Sequence, residues 1–145
     1  MQYATGARGM RLAEETAVER GDATIGGLMA RAGAALADEV ARTVPVGTIA
    51  VVAGKGNNGG DGWEAARVLA ALGRDVRVLA LAPPDALAGE AAEAAAAALR
   101  AGVPWQPAGD ASAMAGQLTG AAVIVDAVFG TGFTGAAKGS AAAAI

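Results

Sequence analysis

The chain has 145 residues, of which 54% are hydrophobic and 17% charged, and its formal net charge is −3. A folded chain of this length buries about 68–70% of its unfolded surface, enough for one core. The negative balance argues against a nucleic-acid or anionic-membrane surface, since both select for basic patches. Cysteine and histidine are both absent, which excludes disulfides, thiolate nucleophiles, imidazole bases and the commonest zinc ligands. Chemistry is left to carboxylates, amides, hydroxyls, lysine and backbone dipoles. The first thirty residues are too charged for a secretory leader, and the alanine-rich stretch 91–99 falls short of the roughly 20 residues of a membrane span. A soluble cytoplasmic protein is expected.

In chain order, Met10, Ala13, Ala17 and Val18 fall at helical spacing over residues 10–20, and Gly21 ends that helix. Thr24 can cap a second helix carrying Leu28, Met29, Ala32, Leu36 and Val40 at intervals of three and four. The β-branched run Thr48–Ala53 follows; being apolar on both faces, it suits a central parallel strand covered by helices. After the glycine loop Gly54–Gly62, a helix is expected over Gly62–Leu72, with Gly73 at its C′ position. Asp75–Ala82 reads as a strand stopped by Pro83 and Pro84, Glu90–Arg100 as a helix, and Val103–Gln106 as a weak strand. A short helix over Ser112–Leu118 leads to a buried strand, Ala121–Asp126, which opens into a second glycine loop.

Strands alternating with helices imply right-handed crossovers and an α/β fold: a Rossmann-like doubly wound parallel sheet with helices on both faces. Three clear strands are fewer than such a sheet usually has, and residues 140–145 begin a helix without a stop signal. The chain therefore reads as an incomplete domain truncated at its C-terminus. A piece of this kind is expected to expose a sheet edge and to aggregate.

Five glycines fall within Gly54–Gly62, between a buried strand and a helix. A chain turning there presents backbone N–H groups and the positive end of a helix dipole, an arrangement that binds phosphate. Gly54, Gly56 and Gly59 match the dinucleotide fingerprint, yet the second strand ends Leu79-Ala80-Leu81-Ala82-Pro83 without the acid that grips ribose hydroxyls. No Lys-Ser or Lys-Thr follows Gly59, so a P-loop is also disfavoured. Asn57, Asn58 and Asp61 instead supply oxygens that can meet hydroxyls or a hard cation. Asp61 has the competing role of helix N-cap. Asp126 closes an apolar strand where α/β sheets place ligand-binding or acid–base carboxylates, with a cap or turn role as its alternative. Lys138 reads as a surface residue or an anion contact, Trp63 as a pocket wall or as packing against the N-terminal helices, and Trp105 as a surface or edge contact.

The run 56–62 (Gly-Asn-Asn-Gly-Gly-Asp-Gly), with Ala66, Arg67 and Leu69, resembles the signature of the YjeF N-terminal domain family, the NAD(P)H-hydrate epimerases. Residues 28–33 are similar to its LMERAG segment, with Ala30 in the glutamate's place, and residues 125–132 to its VDALFGTG segment; Thr134 stands where several members have lysine. The resemblance implies an isomerase of nicotinamide cofactor repair, exchanging the R and S forms of NADH or NADPH hydrated at C6. It implies a substrate site built from Asn57, Asn58, Gly59, Gly60 and Asp61 together with Gly130, Thr131, Gly132, Phe133, Thr134, Gly135 and Ala136. It further implies a potassium ion on Asn58 and Asp126, with Asp126 as the acid–base carboxylate. The expected partners are the hydrated cofactor, an NAD(P)H-hydrate dehydratase, fused or separate, and a second copy in a homodimer. The family's DIPSG segment has no counterpart in these 145 residues, so residues 1–145 read as an incomplete epimerase domain. A non-catalytic nucleotide-binding or interaction module on the same scaffold stays open as the alternative.

Overall fold

The computed structural model describes residues 2–4 and 25–128. The helix expected over residues 10–20 and the loop from Gly130 to Ala136, with Lys138, lie outside the described residues. The elements are β1 (Gln2–Ala4), α1 (Ile25–Thr43), β2 (Thr48–Ala53), α2 (Asn57–Ala71), β3 (Val76–Ala80), a 3-10 turn (Pro84–Ala86), α3 (Gly89–Arg100), β4 (Trp105–Pro107), α4 (Ala111–Gln117) and β5 (Ala121–Ala127). They form the expected α/β architecture, with five strands in the order β1-β5-β2-β3-β4 and every pairing parallel. The weak strand near Val103–Gln106 is the short β4, and β1 is a strand that the sequence patterns did not announce.

The order of the strands decides which face each helix covers. From β2 the chain steps outward to β3 and β4, and α2 and α3 cross one face. It then returns past β2 to β5, so a crossover of the same hand puts α4 on the opposite face. The core accordingly has two layers. Ile49, Val51, Ala53, Val78, Val123 and Val125 pack against α1, α2 and α3, while Ala50, Val52, Leu79 and Ile124 pack around Met114 of α4. Ile49, Val51, Val52, Val78 and Leu79 are at most 1% exposed, and burying each such side chain is worth about 1.5–3 kcal/mol. Coverage on both sides explains why β2 is apolar throughout instead of alternating. Arg77, on the α4 side of β3, donates from Nη2 to the carbonyl of Gln117 at 2.7 Å, placing a cation at the end of that short helix.

Trp63 is fully buried and meets Trp105 edge-on, with ring centroids 6.4 Å apart. The packing role is thus the one realised, and Trp105 is the edge contact.

Helices α1 and α2 cross at Gly33, where a β-carbon would lie 2.4 Å from Glu64 Cγ. The carboxylate of Glu64, 8% exposed as a residue, is held side-on by one edge of the Arg67 guanidinium: Nε donates to Oε2 at 3.0 Å and Nη2 donates to Oε1. These hydrogen bonds, more than the charge attraction, raise the pKa of Arg67 against the opposing pull of burial. Breaking a fully buried pair costs about 3–5 kcal/mol; because the Arg67 side chain is 38% exposed, a smaller cost applies here. Arg67→Met is expected to lower stability by about 1–2 kcal/mol, read as a urea-midpoint shift at constant slope. Glu64→Gln in the same chain should recover part of it. A midpoint unmoved by Arg67→Met would show the pair to be screened by solvent.

Candidate functional site

Strands β2 and β5 are neighbours, but the crossover leaving β2 runs over one face and the crossover entering β5 over the other. A crevice opens beyond the carboxyl ends of strands at such a reversal. The register sets Val52 beside Asp126 and Ala53 beside Ala127. The glycine turn after β2 and the carboxylate ending β5 therefore flank one crevice, as their sequence positions suggested.

The local backbone differs from expectation. Helix α2 begins at Asn57 rather than Gly62, leaving only Gly54, Lys55 and Gly56 as turn. Glycines in a helix cost about 1 kcal/mol each relative to alanine, which argued for a longer loop. Packing reverses that preference. A β-carbon on Gly59 would lie 1.8 Å from the Gly54 carbonyl oxygen, and one on Gly62 would lie 2.7 Å from Ala127 Cβ. On the outer side, a β-carbon on Gly60 would lie 2.6 Å from Met29 Cε and 3.1 Å from Ala91 Cα. Gly54 itself donates to the Ala127 carbonyl at 2.9 Å and would, with a β-carbon, approach the Val128 carbonyl oxygen to 2.4 Å. Of the five glycines only Gly56 faces open space. Gly54, Gly59 and Gly62 seat the helix on the strand ends, Gly60 admits Met29 and Ala91 on the outer side, and close approach by a ligand is left to Gly56.

The N-cap is Gly56, which offers no side-chain bond, and the first turn of α2 holds no acid. Asp61 is therefore not the cap; it lies in the helix, 6% exposed. Asn58 is 4% exposed, whereas Lys55, Gly56 and Asn57 are exposed on the rim. Gly59 and Gly60 are buried in the packing just described. Asp126 is half-buried near the end of β5, and its Oδ1 accepts from the backbone N–H of Val128 at 3.1 Å. The turn role proposed for Asp126 is thus real, and it uses one of about four acceptor positions on the carboxylate. Asn57, Asn58, Gly59, Gly60, Asp61 and Asp126 are brought to one end of the sheet, while the second loop lies outside the described residues. Sequence reasoning did not single out Met29 or Glu64 for the support of this turn. Helical spacing put Met29 on a buried face, but no pattern along the chain paired it with Gly60.

Among the described residues, no group of three or more acidic side chains is gathered as a metal cage, and no helix is long and apolar enough to cross a membrane.

This fold, with its crevice at the strand reversal, defines a doubly wound α/β protein of the kind that takes ligands at its strand ends. The family model described as YjeF-related protein N-terminus matches residues 26–145, and the chain belongs to that family. An NAD(P)H-hydrate epimerase of Pirellula staleyi is 38% identical over 136 residues, covering 92% of this chain and 60% of that protein. Its counterpart in Rhodopirellula baltica is 42% identical over 105 residues, covering 72% and 43%. A bifunctional NAD(P)H-hydrate repair enzyme Nnr of Thermofilum pendens is 40% identical over 110 residues, covering 74% and 21%. The chain thus spans 60% or less of the length of these three relatives. The crystal structure of the yeast protein ynu0 superposes with a TM-score of 0.74 at 26% identity, covering 91% of this chain and 59% of that one.

The packing makes the glycines separable by experiment. Gly59→Ala is expected to cost at least about 3 kcal/mol, because the obstructing atom is a backbone oxygen that moves only with β2. Gly56→Ala should stay within about 1 kcal/mol of the parent, since its φ of −92° suits alanine and nothing obstructs it. Urea unfolding of both variants checks this, and equal losses would contradict the packing assignment.

Proposed function

We propose that this chain carries the substrate-binding and acid–base part of an NAD(P)H-hydrate epimerase, which exchanges the R and S forms of NADH or NADPH hydrated at C6. The observation that supports it most is the convergence of the α2 N-terminus and Asp126 on one crevice, in a chain whose relatives bear that name.

The N-terminus of a 15-residue helix carries a partial positive charge that suits the substrate's phosphates. Gly56 gives them access to the backbone, and Asn57 and Asp61 offer hydrogen-bonding groups to ribose. Asp126 is the proposed catalytic residue. As an acid it protonates the C6 hydroxyl, the C6–O bond breaks with release of water, and the N1 lone pair forms the N1=C6 double bond. Water then adds to the opposite face of the planar carbon, and the carboxylate takes back a proton. The Val128 N–H bond to Oδ1 holds the carboxylate in one orientation for both steps. These 145 residues contain no imidazole or thiol.

Asn58 and Asp126 supply an amide and a carboxylate oxygen, hard donors that fit a potassium ion. When bound, the ion would supply fixed positive charge beside the anionic substrate. In this reading the second loop, Gly130 to Ala136, completes the substrate site. A dehydratase specific for one epimer, fused or separate, would consume the product, and the setting would be the cytoplasm, where reduced cofactors are used.

Asp126→Asn keeps the shape and the Oδ1 acceptor but removes the proton carrier. In the full-length protein, exchange of the separated epimers followed by chromatography is expected to slow by about 10²–10⁴-fold. An Asp126→Asn rate equal to the parent's would refute the assignment.

A further inference from the structure

The first turn of α2 is seated largely by close approach of its glycines to neighbouring elements. Its N-cap makes no side-chain bond, its first turn holds no acid, and Gly59, Gly60 and Gly62 contribute no side chains. Below, Gly59 and Gly62 rest on the ends of β2 and β5. On the outer side, the atoms nearest to Gly60 are the Cε and Sδ of Met29, which would lie 2.6 and 2.7 Å from a β-carbon there. Met29 is 5% exposed, yet it also forms a wall of a cleft of about 160 Å³ bordered by Glu64, Glu90 and Glu93. It therefore separates an acidic, water-accessible cleft from the back of the proposed substrate-binding turn. An unbranched thioether fills such an irregular gap well.

We propose that Met29 is a positioning residue: its thioether presses the Gly59–Asp61 backbone onto the strand ends and keeps cleft water from reaching it. Only the identity of the substrate rests on the epimerase reading; the mechanical role follows from the packing. Met29→Ala would join the cleft to the back of the turn and leave Asn57, Asn58 and Asp61 on a loosened support. Asp126 stands on β5, on the sheet face opposite Met29, so substrate binding should suffer more than turnover.

The test has two readouts on the full-length protein. In Met29→Ala, KM for the hydrate is expected to rise about tenfold with kcat within about threefold, and Met29→Leu should restore KM to within about twofold of the parent. Amide hydrogen exchange at Gly59, Gly60 and Asp61 is expected to quicken at least about tenfold while β2 and β5 keep their protection. Gly60→Ala, which drives a β-carbon into Met29, should be partly rescued by Met29→Ala in the same chain. Exchange that quickens only in the turn supports the proposal whatever the substrate proves to be. Should Met29→Ala show that local effect while the parent protein shows no epimer exchange, the epimerase reading falls and the positioning role stands. Turn amides that are unchanged, or that quicken equally with those of β2 and β5, would overturn the proposal and leave Met29 an ordinary core residue.

Discussion

The carbonyl oxygen of Gly54 lies 1.8 Å from where residue 59 would carry a β-carbon, so α2 can start where it does only with glycine at that position. This backbone-on-backbone seat fixes more than one turn. Through Gly54 the same contact reaches the Ala127 and Val128 carbonyls, tying the first turn of α2 to the end of β5 as well as β2. A side chain inserted anywhere along this line would lift the helix N-terminus away from the crevice and from Asp126. The intrinsic cost of three helical glycines, about 1 kcal/mol each, is the smaller quantity beside the overlap that any larger residue would create.

Much of this was legible in the sequence because its cause is local or periodic. The strand β2 was bounded correctly since Gly47 and Gly54 bracket a run that only two-sided burial explains. The helices α3 and α4 fell within a residue or so of their expected ends. The meeting of the two candidate regions was also foreseeable, because alternating strands and helices leave few ways to wind a parallel sheet and ligands gather at its strand ends. What failed was the start of α2 and the capping alternative for Asp61. Glycine signals a loop when judged by propensity alone, and the contacts that overrule it come from Gly54, Met29, Ala91 and Ala127, which are distant in sequence or hidden in the backbone. The same blindness hid the contact of Gly33 with Glu64, since a small residue on one helix gives no sign of which helix it faces.

The side chains that these 145 residues bring to the crevice are oxygen donors, which suit the proton movement proposed above. These 145 residues hold neither histidine nor cysteine, and the proposed acid–base group is a carboxylate. Asp126 combines partial burial with a backbone donor that sets its orientation. In the proposed reading the positive end of α2 and the oxygen donors beside it receive the anionic end of the substrate, while Asp126 serves the carbon that loses and regains water. In the proposed reading binding and chemistry sit on different elements, α2 and β5, and the Gly54 seat holds the two in register.

The most direct test is to map a hydrated nicotinamide cofactor onto the backbone by titrating it into isotope-labelled full-length protein and following amide shifts. Perturbations are expected at Lys55 to Asp61 and at Asp126 to Val128 together, saturating with one affinity, with little change at Glu90 and Glu93 on the far side of Met29. Shifts confined to that acidic cleft, or a response of the α2 turn without the end of β5, would contradict a single site built across the β2–β5 crevice.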